Sequence, residues 1–172
     1  MITMISENEA WDLLNSQCNK SSIDYTDKLI QHCKIVHDLS VFLAKEMTKH
    51  GIKINLELVA VGAILHDIGR TIMTENDHPV MHGIYGSQIM ETSGVKDWHK
   101  IASFCTNHIG IGIKKAEAER LGLPSKDYIP KLIEEKIVTY CDNLVEFNRA
   151  SGKYMIHDKN YIIERMEKEI SK

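Results

Sequence analysis

The sequence predicts an all-α protein, a single bundle of six to eight helices. Apolar residues recur at intervals of three and four, as at Leu29, Cys33 and Val36, and this spacing puts side chains on one face of a helix. The alternation typical of strands is confined to the Ile-Gly-Ile-Gly-Ile segment at 109–113. A chain of 172 residues lies within the usual size of one domain, so we expect one domain over residues 1–172.

Start and stop signals indicate where the helices lie. Ser6 and Asn55 suit N-terminal caps, Gly51 suits a C-terminal cap, and Pro79 and Pro130 suit first helical turns. The helices that we expect span approximately residues 6–16, 24–50, 56–67, 79–91, 98–107, 115–121, 130–148 and 158–170. We find no internal repeat and no low-complexity segment.

The composition excludes some classes of function. The net charge is −3 and the pI is about 6.3, so no basic surface for nucleic acid is indicated. No apolar run approaches the ~18 residues of a membrane span, and the first residues do not resemble a signal peptide. We therefore expect a cytoplasmic protein without a membrane partner. The cysteines, which form no Cys-x-x-Cys pair and are expected to pack in the core, are Cys18, Cys33, Cys105 and Cys141.

A histidine and an aspartate stand side by side at the end of an apolar run. These are His66 and Asp67, followed by Gly69 and Arg70. A buried charge is costly unless it is paired or bound to a metal. Gly69 allows a sharp turn, and Arg70 places a permanent cation suited to phosphate nearby. An isolated pair of this kind is also compatible with a capped helix end in solvent.

Further metal-capable side chains fall on or beside the inward faces of other helices. His37 follows Cys33 by one turn on the second helix, and Asp142 lies among apolar residues late in the chain. The complete set is His37, His66, Asp67, His82, His108 and Asp142. Four imidazoles and two carboxylates suit a transition metal without any thiolate. The histidines that we expect at the surface are His32, His50, His99 and His157.

The order of these residues resembles the HD-domain metal-dependent phosphohydrolases, in their His-Asp-Ile-Gly variety. The segments that carry the resemblance are VHDLSVFLA, VGAILHDIGR, HGIYGSQIM, NHIGIGI and VTYCDNLV. The resemblance covers residues 30–150, with the first and last helices as additions. The sequence is similar in particular to small stand-alone archaeal-type proteins of this variety, whose substrate is uncharacterised.

The resemblance implies a metal site in the central cleft of the bundle. One ion would be held by His37, His66, Asp67 and Asp142. A second ion would be held by His82 and His108, with Asp67 bridging the two. The implied ions are divalent transition metals, with Fe, Mn, Zn, Co and Ni all open.

The implied activity is hydrolysis of a phosphoester or phosphoanhydride by a metal-activated hydroxide. The substrate would be a nucleotide or a related phosphorylated small molecule. Asp67 and Arg70 are the expected catalytic residues, and Arg70 and Arg149 are the expected phosphate contacts. Asn107 stands where some cyclic-dinucleotide enzymes have an additional His, which argues against that reaction.

Two alternatives remain open at this point. One is a non-catalytic nucleotide-sensing or scaffold protein that keeps the fold. The other is a di-iron oxygenase of the HD type, which uses the same ligands. The sequence does not indicate the oligomeric state.

Overall fold

A computed structural model describes residues 5–170 and has the predicted all-α architecture. That part of the chain contains eight α-helices, one short 3₁₀ helix (Ile68–Ile72) and one two-stranded antiparallel hairpin. The helices are α1 (Glu7–Lys20), α2 (Thr26–Lys49), α3 (Leu56–Leu65), α4 (Met81–Thr92), α5 (Trp98–Asn107), α6 (Lys115–Arg120), α7 (Ile133–Leu144) and α8 (Lys159–Ile170). The strands are β1 (Val145–Asn148) and β2 (Lys153–Ile156). Within residues 5–170, no helix has both the length and the apolar character that a membrane span requires.

Helix α3 is the centre of the bundle. Every residue from Leu58 to Leu65 is buried, and the helix contacts α1, α2, α5 and α7. A helix that is apolar on all sides is stable only when other elements surround it. The His-Asp pair follows directly at the C-terminal end of α3, so it starts from the most enclosed part of the molecule.

Gly69 brings the 3₁₀ helix against the backbone of α4. A Cβ at this position would collide with the carbonyl oxygen of His82 and with the amide nitrogen of Gly86. Gly69 is absent from the glycines with positive φ. Its role is therefore close approach between two backbones, rather than the sharp turn that we expected from the sequence.

The chain departs from the prediction after α7. We expected a helix over residues 130–148, but α7 ends at Leu144 and a hairpin follows. The turn is stabilised locally, because Asn148 Oδ1 accepts hydrogen bonds from the N–H groups of Ala150 and Ser151. Gly152 closes it with a φ of +66°, a conformation that glycine adopts without strain. This turn chemistry outweighs the helical spacing of the residues before it.

Candidate metal centre

Six polar side chains from five helices or helix ends converge in the cleft of the bundle. His66, Asp67, His82 and His108 are buried, and His32 and Asp142 are partly buried. The elements that supply them are α2 (His32), the end of α3 (His66 and Asp67), α4 (His82), the end of α5 (His108) and α7 (Asp142). Every element that surrounds α3, except α1, therefore contributes to one cluster.

One half of the cluster centres on His32 and His66. Their Nε2 atoms lie 3.2 Å apart. Asp142 Oδ1 lies 3.0 Å from His32 Nε2 and 3.5 Å from His66 Nε2. Asp67 Oδ2 lies 3.6 Å from His32 Nε2 and 3.9 Å from His66 Nε2. Two nitrogens and two carboxylate oxygens thus surround one position.

The other half is formed by His82 and His108. Their Nε2 atoms lie 3.1 Å apart, and each is 3.3 Å from Asp67 Oδ1. Asp67 therefore presents one oxygen to each half of the cluster. Its Oδ1 is buried and has no hydrogen-bond partner in the described part of the chain.

The tautomers of three histidines show that this donor set fits a cation. The Nδ1 atoms of His66, His82 and His108 lie 2.7, 2.5 and 2.8 Å from backbone carbonyl oxygens three or four residues earlier. A carbonyl oxygen can only accept, so each Nδ1 carries the proton and each neutral Nε2 presents a lone pair. Burial lowers the pKa of His82 to about 3, which keeps that ring neutral. The 3.1 Å contact between two such lone pairs is unfavourable unless a cation accepts both.

Both carboxylates of the cluster remain charged. Burial alone would raise the pKa of Asp67, but the Arg70 guanidinium beside it holds that pKa well below its ordinary value. The Nε of Arg70 donates to Asp67 Oδ2 at 2.6 Å. Burial would likewise raise the pKa of Asp142, but the hydrogen bond from His32 holds that pKa far below its usual range. The cluster therefore offers two anionic oxygen donors beside its imidazoles, a donor set that favours metal ions.

The cluster opens into a cleft of about 990 Å³. Both arginines that we predicted as phosphate contacts, Arg70 and Arg149, line this cleft. Lys28, Phe147 and Tyr154 line it as well. The cavity is therefore larger than the cluster itself and has cationic and aromatic walls.

The structure does not bring His37 to the cluster, and this corrects the prediction for the first ligand. The Nε2 of His37 lies 3.2 Å from Glu7 Oε1 and its Nδ1 lies 2.9 Å from Asp38 Oδ1. Its ring packs edge-on against Trp11. His32, which we expected at the surface, occupies the place assigned to His37.

The error has a geometric cause. The buried stripe of α2 contains Leu29, Cys33 and Val36, and residues on a helix are about 100° apart. By that measure His32 and His37 flank the stripe on opposite sides, separated by roughly 140°. One flank faces α1 and the other faces α3 and α7, as the contacts of the two rings show. Spacing alone cannot tell which flank meets the metal-capable residues.

Two further residues that support the cluster were missed. Asn143 Nδ2 donates to Gly110 O at 2.6 Å and to Thr139 O at 2.8 Å, which ties the loop after His108 to α7. The ring of Tyr154 lies 5.7 Å from that of His32. Asn143 could have been noticed, since it adjoins Asp142. Tyr154 could not, because its hairpin was not predicted.

The fold and the donor set define a class of protein, and comparison with known proteins identifies it. The family model of the HD domain matches residues 29–146. The chain therefore belongs to the HD domain family, as the resemblance of its motifs implied. The solved HD domain of the L. monocytogenes phosphodiesterase PgpH has a similar fold, with a TM-score of 0.58 and 17% identity over 92% of this chain and 84% of that one.

Three proteins of similar sequence come from archaea. The chain is 37% identical over 147 residues to an uncharacterized protein of Methanocaldococcus jannaschii, covering 86% of this chain and 80% of that protein. It is 39% identical over 133 residues to a tRNA (cytidine(56)-2'-O)-methyltransferase of Picrophilus torridus, covering 77% of this chain and 36% of the enzyme. A Thermoplasma volcanium protein of the same name is 40% identical over 119 residues, which are 69% of this chain and 32% of that protein. The chain thus spans about a third of the length of these two methyltransferases.

Proposed function

We propose that this protein is a metal-dependent phosphohydrolase that cleaves a phosphoester or phosphoanhydride of a nucleotide or a related phosphorylated small molecule. The observation that carries the proposal is the pair of facing Nε2 atoms on His82 and His108, with Asp67 Oδ1 3.3 Å from both. Such a pair needs a cation, and the HD family to which the chain belongs supplies the chemical context.

We infer that two ions bind. His32, His66 and Asp142 would hold one of them, and His82 and His108 would hold the other. Asp67 would contribute one oxygen to each ion, in keeping with the way its two oxygens divide between the halves of the cluster. Divalent ions bound here would supply Lewis-acid activation of the phosphate and a water-derived nucleophile at neutral pH.

The protein's own residues would position and neutralise the phosphate. Arg70 uses Nε to bind Asp67, and its remaining N–H groups are available to phosphate oxygens in the cleft. The guanidinium fork matches the geometry of phosphate. Arg149 stands farther along the same cleft and would bind another part of the substrate.

Metal loading followed by a substrate panel tests this proposal. The protein is purified without chelator or nickel resin, loaded with Mn, Fe, Co, Ni, Zn or Mg, and assayed for phosphate release from nucleotides. We expect hydrolysis that Asp67→Ala and Asp67→Asn abolish, because Asp67 contributes to both ions. The matched control is Asp12→Ala, an exposed carboxylate of α1, which should keep full activity.

The outcomes separate the alternatives. Undiminished hydrolysis in a folded Asp67→Asn protein would contradict the mechanism. Turnover in the absence of oxygen distinguishes a hydrolase from an HD-type oxygenase. A metal-loaded protein that binds nucleotides without turning any over would instead support a sensor or scaffold.

A second candidate substrate is a phosphoester carried on RNA. The observation in its favour is the identity of 39% and 40% to portions of two proteins named as tRNA methyltransferases. The net charge of −3 argues against strong binding to an RNA backbone. Binding of unmodified tRNA at physiological salt, measured by gel shift, supports this candidate, and its absence favours the free nucleotide.

A further inference from the structure

We propose that the cleft contains a second anion subsite, formed by Lys28 and Arg149, which binds a phosphate of the substrate other than the one that is cleaved. This inference rests on the proposed function, because it takes the reacting phosphate to lie at the cluster of histidines and aspartates. It narrows the substrate class to small molecules with at least two phosphates, such as a nucleoside diphosphate or bisphosphate.

The cleft extends beyond the cluster to a second wall. Its volume of about 990 Å³ is at the upper end of the range of about 300–1,000 Å³ for small-molecule sites. This wall comes from the start of α2, with Tyr25 and Lys28, and from the hairpin, with Phe147, Arg149 and Tyr154. The match to the HD domain model ends at residue 146, so most of the hairpin lies outside it.

Among the side chains that the structure describes, those of residues 5–165 and 167, no carboxylate forms an ion pair with Lys28 or Arg149. Lys28 Nζ lies 4.9 Å from the centre of the Phe147 ring, so the ammonium group is held against the hairpin. Arg149 stands at the start of the hairpin turn. Away from the cluster, Asp24 is the carboxylate that lines the cleft. The positive charge of this wall is therefore not matched by its own acidic groups.

The cations are carried on segments that are tied together and to the cluster. Tyr154 OH donates to the backbone oxygen of Lys28 at 2.8 Å, and the Tyr154 ring packs against His32 at 5.7 Å. The hairpin turn that bears Arg149 is closed by a hydrogen bond of 2.9 Å from Gly152 N to Asn148 O. The subsite thus stands at a set distance from the cluster, and such preorganisation lowers the cost of binding.

This arrangement favours a substrate with two phosphates. A monophosphate bound at the cluster and Arg70 would leave Lys28 and Arg149 without a partner. A second phosphate would gain charge-assisted hydrogen bonds, which are stronger than neutral ones. We expect a preference of roughly tenfold or more over the corresponding monophosphate.

Binding of three adenosine nucleotides to the metal-loaded full chain tests the subsite. The probes are adenosine 5′-monophosphate, adenosine 5′-diphosphate and adenosine 3′,5′-bisphosphate. Dissociation constants are measured by calorimetry, and Michaelis constants are used for any probe that is hydrolysed. At least one probe with two phosphates should bind about tenfold more tightly than the monophosphate.

Substitutions assign the preference to residues. Lys28→Gln and Arg149→Gln should each reduce the ratio toward one, because each substitution removes a charge-assisted contact with the second phosphate. Both side chains are exposed, so the fold should be retained. Lys153→Gln is the matched control, because Lys153 is on the same hairpin but is not part of the cleft lining, and it should keep the wild-type ratio.

Three results would overturn the subsite. The first is that neither probe with two phosphates binds more tightly than the monophosphate. The second is that the preference persists in both Lys28→Gln and Arg149→Gln. The third is that these substitutions weaken binding of the monophosphate as much as binding of the probes with two phosphates. Failure of the proposed function can be told apart from failure of the subsite. Tighter binding of a probe with two phosphates, without hydrolysis of any probe, would contradict the proposed hydrolase and support the subsite. Conversely, monophosphate hydrolysis without a preference leaves the phosphohydrolase and removes the subsite.

Discussion

Substitution of His32 tests the arrangement of the metal centre, because the structure places His32 where the sequence predicted His37. In the structure His32 Nε2 lies within 3.0–3.6 Å of the donor atoms of His66, Asp67 and Asp142, so it is one of four donors around one position. His32→Gln should therefore weaken binding of one ion. His37→Gln is the matched control on the same helix and should leave both ions bound as in the wild type.

The size of the effect follows from the number of donors. Four-donor structural zinc sites bind with about 10–16 kcal/mol at neutral pH. An equal share per donor is about 2.5–4 kcal/mol, or roughly a 10²–10³-fold loss of affinity. The loss should be confined to one of two binding steps, because His82 and His108 do not depend on His32 for their contacts with Asp67.

Competition with a chromophoric chelator, at fixed pH and with initially metal-free protein, measures both steps. Retained affinity in His32→Gln would refute the assignment of His32. An equal loss in His37→Gln would refute it as well, because that ring contacts Glu7 and Asp38 rather than the cluster.

Three further predictions concern stability and reactivity. Gly69→Ala should destabilise the metal-free protein by about 1–3 kcal/mol in urea unfolding, because a Cβ would meet the backbone of α4; unchanged stability would contradict that packing. Burial lowers the pKa of His82 to about 3, whereas His82 in the unfolded chain takes up a proton near pH 6.5. The folded state is therefore not penalised by this residue above pH 6.5, and it loses stability as the pH falls from 6.5 toward 3. Between pH 7 and pH 5 the metal-free wild type should lose about 2 kcal/mol more stability than His82→Gln, and equal losses would contradict the depressed pKa. Burial raises the pKa of Cys33, Cys105 and Cys141, so a thiol reagent at neutral pH should label these three only after unfolding, and rapid labelling of the native protein would contradict their burial.

Features that depend on neighbouring residues could be predicted from the sequence. The predicted N-terminal caps are present, since Ser6 accepts a hydrogen bond from Glu9 N and Asn55 Oδ1 accepts one from Leu58 N. The prediction that Pro79 and Pro130 stand in first helical turns was wrong, because α4 begins at Met81 and α7 at Ile133. The apolar run of α3 predicted its burial, and the His-Asp pair at its end predicted the start of the cluster. Of the six predicted ligand positions, five are brought together by the structure.

Features that depend on which elements pack together could not be predicted. His32 and His37 border the same apolar stripe, and the position of α1 against one flank decides between them. The hairpin was not predicted, because the residues before it continue the helical spacing of apolar side chains. In the structure the helix ends before the turn from Asn148 to Gly152. The aromatic and cationic wall of the cleft was missed with it, apart from Arg149.

The number of metal ions required for phosphoester hydrolysis tests the central claim most directly. Metal content and activity are measured together on protein that has met neither chelator nor nickel resin. We expect about two ions per chain, with hydrolysis lost in His82→Ala and His108→Ala as the content falls toward one. One ion per chain, with content and activity insensitive to both substitutions, would contradict a two-ion centre bridged by Asp67.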